Sequence, residues 1–243
     1  MVVWLFAGGG QAKIGTEVGR VGGLVNFFRK SYPDCQFERK TPVRRLPAPK
    51  AGRELPAHGK TGTSLAQEVK ERLKLSLQHD KPCDIILVVD DLDCRDPRTS
   101  GDRLLQAVDS VLDGHQIERF VGFAAPELEV WLIADWDHSF GKHGDFRGAR
   151  QAGMRHWLST RGRVPFHDPE TFGECDSERD TCAEKLSDII IESTVQGGYN
   201  SGLDPYSKST HTPVMLLSID PSLVAKKCPL FRDLHEFLVR RCL

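Results

Sequence analysis

The sequence predicts an α/β fold: a doubly wound, mainly parallel sheet with helices on both faces, extended at the C-terminus by an α-rich segment. Three observations lead there. Short apolar runs at 2–7, 85–89 and 120–125 read as strands, the run at 85–89 uniform enough to be covered on both faces. Between them lie stretches whose apolar residues recur at helical spacing, so strand and helix alternate. Beyond residue 140 that regular alternation stops, which divides the chain into an α/β core over 1–140 and a C-terminal extension over 141–243 that packs on it.

Taken in order, Val2–Ala7 is an apolar run stopped by Gly8-Gly9-Gly10, as expected of a buried first strand. Thr16–Lys30 follows with Val18, Val21, Leu24, Val25 and Phe28 at helical spacing, and Cys35–Arg45 alternates around Phe37 and Val43 as a second strand. Residues 46–63 are rich in proline and glycine and form a loop. Ser64–Gln78 places Leu65, Val69, Leu73 and Leu77 on one face, and Ser64 with Gln67 has the pattern of a capping box. Asp84–Val89 is the clearest strand. A helix over 101–114 leads to the strand Phe120–Ala125, and Pro126 is placed as the first residue of a helix through Trp136, where its missing N–H needs no partner. In the extension, 141–163 is basic, 168–184 acidic, 183–195 helical in spacing and 197–209 a loop. Val214–Ile219 reads as a short strand or buried segment, and Pro229–Cys242 as a closing helix.

The bulk numbers exclude several classes. With 243 residues, 39% hydrophobic and 28% charged, the chain can bury a sizeable core as a soluble protein. Its longest apolar run is far short of the roughly 20 residues of a membrane span, and Val2–Ala7 lacks the basic flank of a signal peptide. The expectation is a cytoplasmic protein with no membrane partner. A net charge of −1 leaves nucleic-acid binding to local patches. The seven cysteines contain no C-x-x-C pair, which excludes a zinc ribbon and reads as reduced thiols filling space.

Chemistry gathers first at Asp90-Asp91-Leu92-Asp93. In open α/β sheets ligands collect beyond the carboxyl ends of the strands, and this strand delivers acids to that edge. Asp91 and Asp93 are two apart and in extended backbone point the same way. Two adjacent carboxylates repel unless a cation lies between them, and magnesium suits such a pair. The alternative is that these acids cap the following turn. Glu127 and Glu129 fall in a first helical turn, where the helix dipole alone accounts for negative charge. Asp135 lies on the apolar stripe of Leu128, Trp131 and Leu132 and needs a partner there. Glu129 and Asp135 lie about 120° apart around a helix, which leaves a shared metal open. Gly59-Lys60-Thr61 imitates the end of a Walker A motif, but Glu54 stands where glycine is required. His138 and His143 are spaced wrongly for two ligands on one helix face and read as surface residues. Lys142, Arg147, Arg150, Arg155, Arg161 and Arg163, interleaved with Phe146 and Trp157, form either a solvated face or a phosphate-contacting, nucleic-acid-binding surface.

At these residues the sequence resembles the DUF4276 family, whose Toprim-like (topoisomerase–primase) fold occurs in bacterial defence and mobile-element neighbourhoods. The similarity runs through Phe6–Lys13, through Val89–Asp93 as an Asp-x-Asp strand ending, and through Glu127–Asp135 as a Glu-x-Trp…Ala-Asp signature. It continues in Tyr206-Ser207-Lys208 with His211, Ile219-Asp220-Pro221 and Cys228–Phe231. The resemblance implies a Toprim-like fold and a site dependent on Mg²⁺ (or Mn²⁺). Asp91 and Asp93 would be the metal pair, Asp135 a further metal ligand, Glu129 a catalytic acid, and Lys208 a phosphate or transition-state contact. The implied function is a nuclease hydrolysing phosphodiester bonds of DNA or RNA within a prokaryotic defence system, beside a partner effector or ATPase subunit.

One position departs from the family. Where a first-strand glutamate is expected the chain has Ala7, and Glu17, ten residues on, is the nearest substitute. Loss of a general acid–base group costs on the order of 10²–10⁴-fold in rate. The alternative implied function is therefore a catalytically degenerate Toprim-like subunit that binds nucleic acid or a partner protein without cleavage.

Overall fold

The computed structural model describes residues 1–9, 22–42, 60–197 and 204–242. Four parallel strands, β1 (Val2–Ala7), β2 (Gln36–Arg39), β3 (Ile85–Asp91) and β4 (Glu118–Ala124), lie in the order β2-β1-β3-β4. The register sets Ala7 beside Val89 and Asp91 beside Ala124, so the carboxyl ends of β1, β3 and β4 form one edge. The chain reverses its direction of winding between β1 and β3, and open α/β sheets place their ligand sites at the carboxyl edge beside such a switch point.

Side chains on successive strand residues point to opposite faces. Val3, Leu5, Ile85, Leu87 and Val89 face one way, beneath helix α1 (Leu24–Ser31) with its Phe27 and Phe28. Trp4, Phe6, Ile86 and Val88 face the other, beneath α2 (Gly62–His79) and α3 (Pro97–Leu112). Both faces are therefore covered, which is why β3 carries no polar residue before Asp90. Full burial of a Leu or Phe side chain contributes roughly 1.5–3 kcal/mol each, and Leu65, Val69 and Leu73 provide this for α2. Short α4 (Glu129–Ala134) follows β4. The extension adds α5 (Ala149–Thr160), a small antiparallel ribbon of β5 (Cys175–Asp176) and β6 (Thr181–Cys182), α6 (Leu186–Gln196), α7 (His211–Met215), α8 (Pro221–Lys227) and α9 (Pro229–Cys242). Helix α9 packs on β4, with Phe237 stacked on Phe120 at 4.5 Å, and the apolar cluster on this face runs unbroken from the sheet into the extension.

Several boundaries differ from the sequence reading. The helix read from Thr16 begins at Leu24 with Gly23 as its N-cap, and the second strand, read to Arg45, ends at Arg39; residues 16–21 and 43–45 of those readings lie outside the described residues. Helix α2 begins at Gly62 and its N-cap is Thr61, so the Ser64/Gln67 box does not form; Gln67 instead bonds Glu71. Helix α3 starts earlier than 101, because the Asp96 side chain accepts from the Thr99 N–H and Pro97 occupies the first turn. Pro126 is not a first helical residue: the Ala125–Pro126 bond is cis and α4 begins three residues later. Of the two readings of Val214–Ile219, the strand fails, since 211–215 are helical, and the buried segment holds at Met215, Leu216 and Ile219. No helix among the described residues is long and apolar enough to cross a membrane.

The reading of the cysteines as reduced thiols is corrected for four of them. Cys35 is bonded to Cys242 and Cys94 to Cys182, across separations of 207 and 88 residues that local spacing cannot reveal. Cys83 and Cys228 are buried thiols, and Cys175 is an exposed one.

Candidate functional site

The carboxyl edge of β3 sends its acids in different directions. Asp90 lies on the α2 face and Asp91 on the α4 face, as strand alternation requires. Asp90 is 2% exposed; its Oδ2 accepts from the Gly62 N–H at 2.8 Å and thereby caps α2, while Oδ1 is buried and has no hydrogen-bond partner among the described residues. Gly8 makes this possible, since a Cβ there would collide with Asp90 Oδ1. Asp91 Oδ1 accepts from the Leu128 N–H at 2.8 Å, ahead of α4. Asp93 lies beyond the strand in a left-handed conformation (φ 51°), its N–H bonded to the Pro126 carbonyl. The expectation that Asp91 and Asp93 point the same way in extended backbone fails there: the chain leaves the strand before Asp93.

Arg95 holds this loop together. Its guanidinium donates to the carbonyls of Leu92 and Asp91 at 2.9 Å each and stands 3.6 and 3.5 Å from Asp90 and Asp93. Gly62, with φ +56°, gives it room, because a Cβ there would overlap the guanidinium. Burial pushes the Asp90 carboxyl up to about 7, with the charge of Asp91 adding to the shift. Asp93 is raised by burial and then by Asp91. The three carboxylates therefore sense one another across the loop. Sequence reasoning misses Arg95 and Gly62, although an arginine two residues after three acids is a usable signal.

A second acidic cluster forms where α4 meets the extension. Glu127 and Glu129 are both buried, and Lys208 bridges them at 2.5 Å and 3.5 Å. Thr212 donates to Glu129 Oε1 at 2.9 Å and the Tyr206 hydroxyl does so at 3.3 Å. Burial, then the Glu129 charge, raises the Tyr206 phenol well above its ordinary value, which keeps it a donor. The structure thus brings Glu129 and Lys208 together, and with them Glu127, whose role the sequence left to the helix dipole.

Asp135 stands apart at the other end of α4, roughly 10 Å along the axis from the Asp91 contact at 1.5 Å rise per residue. The partner its apolar stripe demanded is supplied twice: His138 Nδ1 at 2.9 Å and the Asp220 N–H at 2.7 Å. His138 is therefore no idle surface residue. Nor is His143, which packs edge-on to His211 at 5.3 Å beside Phe146. Glu17 lies outside the described residues.

The basic residues of 142–163 do not form one face. Arg150 is buried and donates to the carbonyls of Asp145 and Asp204, so its guanidinium is committed to holding the chain, and Phe146 beneath it is core. Lys142, Arg147, Arg155, Arg161 and Arg163 are exposed. Arg155 lies over the Phe166 ring, while Arg161 and Arg163 line a cleft of about 1050 Å³ with Trp157, Phe172 and Glu174.

Among the described residues no group of three or more His, Cys, Asp or Glu side chains converges as a metal cage. Magnesium needs no such cage: one or two carboxylates with waters suffice. Asp91 and Asp93, with mutual repulsion that a divalent cation would relieve, are chemically suited to that. Fold and site together define an α/β protein with an open, parallel four-stranded sheet and a carboxylate-rich carboxyl edge. Comparisons with family models, with curated proteins and with solved structures return no match for this chain.

Proposed function

We propose that the chain is a Toprim-like, Mg²⁺-dependent nuclease related to the DUF4276 proteins, acting on phosphodiester bonds of DNA or RNA in the cytoplasm, within a defence system that includes an effector or ATPase partner. The observation that carries this reading is the end of β3 and the loop after it, where Asp90, Asp91 and Asp93 gather at the sheet's carboxyl edge and burial raises the carboxyls of Asp90 and Asp93. Asp91 and Asp93 would hold the metal, which when bound would supply an activated water and charge stabilisation at phosphoryl oxygens. In this chain Glu127 and Glu129 hold Lys208 in place beside α4, from where its partly exposed ammonium can meet a phosphate oxygen. Arg161 and Arg163 would steady the polynucleotide backbone in the adjoining cleft.

Purified protein with Mg²⁺ or Mn²⁺ is expected to degrade plasmid or single-stranded substrates, and Asp91→Ala to abolish this. Full-rate cleavage by that variant overturns the assignment.

A second reading rests on Ala7, which is 1% exposed, packed on the same face as Asp91 and bonded through its backbone to Thr41. No carboxylate occupies that strand position, which favours a binding subunit without cleavage. That reading predicts stable, salt-sensitive retention of labelled oligonucleotide, or of a partner protein, with no product under any divalent metal.

A further inference from the structure

One half of the Cys94–Cys182 disulfide has a free cysteine as its cross-strand register partner. Cys94 directly follows Asp93, so the bond ties the acidic loop to β6. In the β5–β6 ribbon Cys182 is the register partner of Cys175, which is exposed and unbonded. The Ala183 N–H donates to the Glu174 carbonyl at 2.9 Å, which makes 174/183 a hydrogen-bonded pair and 175/182 the neighbouring non-hydrogen-bonded pair. Opposed residues of that type have Cα atoms about 4.5 Å apart and side chains on one face, inside the roughly 4.4–6.8 Å range of disulfides. Cys182 is thus placed to bond to either of two cysteines, one on the acidic loop and one within its own ribbon.

We propose that Cys94, Cys175 and Cys182 form a thiol–disulfide exchange relay that fastens or frees the Asp91–Asp93 loop. The Cys175 thiolate attacks Sγ of Cys182; the Cys175–Cys182 bond forms as the Cys94–Cys182 bond breaks, and the electron pair leaves on Cys94 Sγ, which takes up a proton. One thiol and one disulfide exist before and after, so no oxidant or reductant is consumed. The exchange has two structural consequences. The loop carrying Asp91 and Asp93 loses its covalent tie to the extension. The ribbon, whose Gly173, Glu174, Ala183 and Glu184 wall the Arg161/Arg163 cleft, closes on itself. A disulfide that has a resident third cysteine opposite one of its sulfurs can exchange within the chain, in whatever compartment the protein resides. Neither the exchange nor its test depends on the nuclease reading.

The test is thiol mapping on the intact, non-reduced protein. Aliquots held at mildly alkaline pH are trapped with N-ethylmaleimide, acid-quenched and digested without reductant for peptide mass mapping. The starting protein should carry the label on Cys175, with Cys94 linked to Cys182. With time the label at Cys94 should rise about tenfold over a Cys175→Ser control while a Cys175–Cys182 linked peptide accumulates, thiolate attack being the only route. Cys83 and Cys228, which are buried, should stay unlabelled and so report that the fold is intact. The proposal is overturned if Cys94 never gains label, if it gains label equally in Cys175→Ser, or if all three cysteines are alkylated at the outset.

Discussion

Two acidic regions flank α4, and they are neutralised in different ways. At the sheet edge, Asp90, Asp91 and Asp93 surround Arg95, whose guanidinium reaches two of them only at 3.5 to 3.6 Å and spends its good hydrogen bonds on carbonyls. Where α4 meets the extension, Glu127 receives the Lys208 ammonium at 2.5 Å, and Glu129 has it at 3.5 Å together with two hydroxyl donors. The first region is left with raised carboxyl protonation; the second has its charge matched from within. The difference teaches that burial alone does not mark a site. What marks it is buried charge that the protein itself matches incompletely, and on that criterion the loop after β3 is where an external cation or proton has most to gain.

The largest effect expected from this contrast is in the pH dependence of stability. Asp90 is raised from its ordinary value of 3.8 to about 7, so the folded state holds its proton more tightly than the unfolded state. Its penalty is absent below the unfolded value and grows as pH rises through the interval, reaching on the order of 4 kcal/mol above pH 7. Urea unfolding of wild type should therefore show stability falling across that window, and Asp90→Asn should flatten the fall. Glu170, which caps α9 and is likewise raised to about 7, contributes a slope of the same sign, so the difference between the two proteins is the quantity to read. Equal slopes would show that Asp90 is matched after all.

The matched region should respond to removal of its cation instead. Lys208→Met leaves two buried glutamates without their ammonium, and the cost is about 3 kcal/mol, the scale for breaking a buried pair. Adding Glu127→Gln and Glu129→Gln to that variant should return most of it, because the stranded charges go with the substitutions. If the triple variant is no more stable than the single one, the lysine acts through packing rather than charge. A smaller effect separates the regions by ligand: Mg²⁺ at ten times its dissociation constant should stabilise wild type and Glu129→Gln by about 1.4 kcal/mol and leave Asp91→Asn unmoved. Stabilisation that survives in Asp91→Asn would relocate the metal.

Much of this was legible in the sequence, for identifiable reasons. Strands β1, β3 and β4 were visible because burial on both faces demands unbroken apolar runs, whereas the two-residue β5 and β6 are too short to carry a pattern; α9 was visible from Pro229 to Cys242 because one wide apolar stripe packs on β4. Asp90, Asp91 and Asp93 were visible because acids after such a strand have no place in the core. What stayed hidden depended on distant partners. The pairing of Glu129 with Lys208 spans 79 positions and the Cys94–Cys182 bond 88, distances at which periodicity says nothing. Helix α5 was obscured by its charge, since the arginines that read as an exposed patch include Arg150, which is core. Asp93 was misplaced by assuming that strand alternation continues past the strand's end.

The contrast between matched and unmatched charge extends to these cations, and the smallest changes in stability are expected at the two exposed ones. Arg150 donates to two carbonyls from a buried position, whereas Arg161 and Arg163 are exposed on the wall of the cleft. Arg161→Ala and Arg163→Ala should each leave the urea midpoint within about 0.5 kcal/mol of wild type, as surface substitutions do. If the cleft carries a polynucleotide, each should also lower the slope of log affinity against log salt by roughly 0.9 per phosphate that the arginine neutralises. Arg150→Ala should do the reverse, lowering stability by about 1–3 kcal/mol through orphaned carbonyls while the salt slope of the protein that remains folded stays unchanged. Fluorescence anisotropy with a labelled oligonucleotide at several salt concentrations, run beside the unfolding curves, distinguishes these patterns. An unchanged salt slope in the Arg161→Ala, Arg163→Ala double variant would assign the cleft to a ligand other than nucleic acid and leave the loop after β3 as the whole of the candidate site.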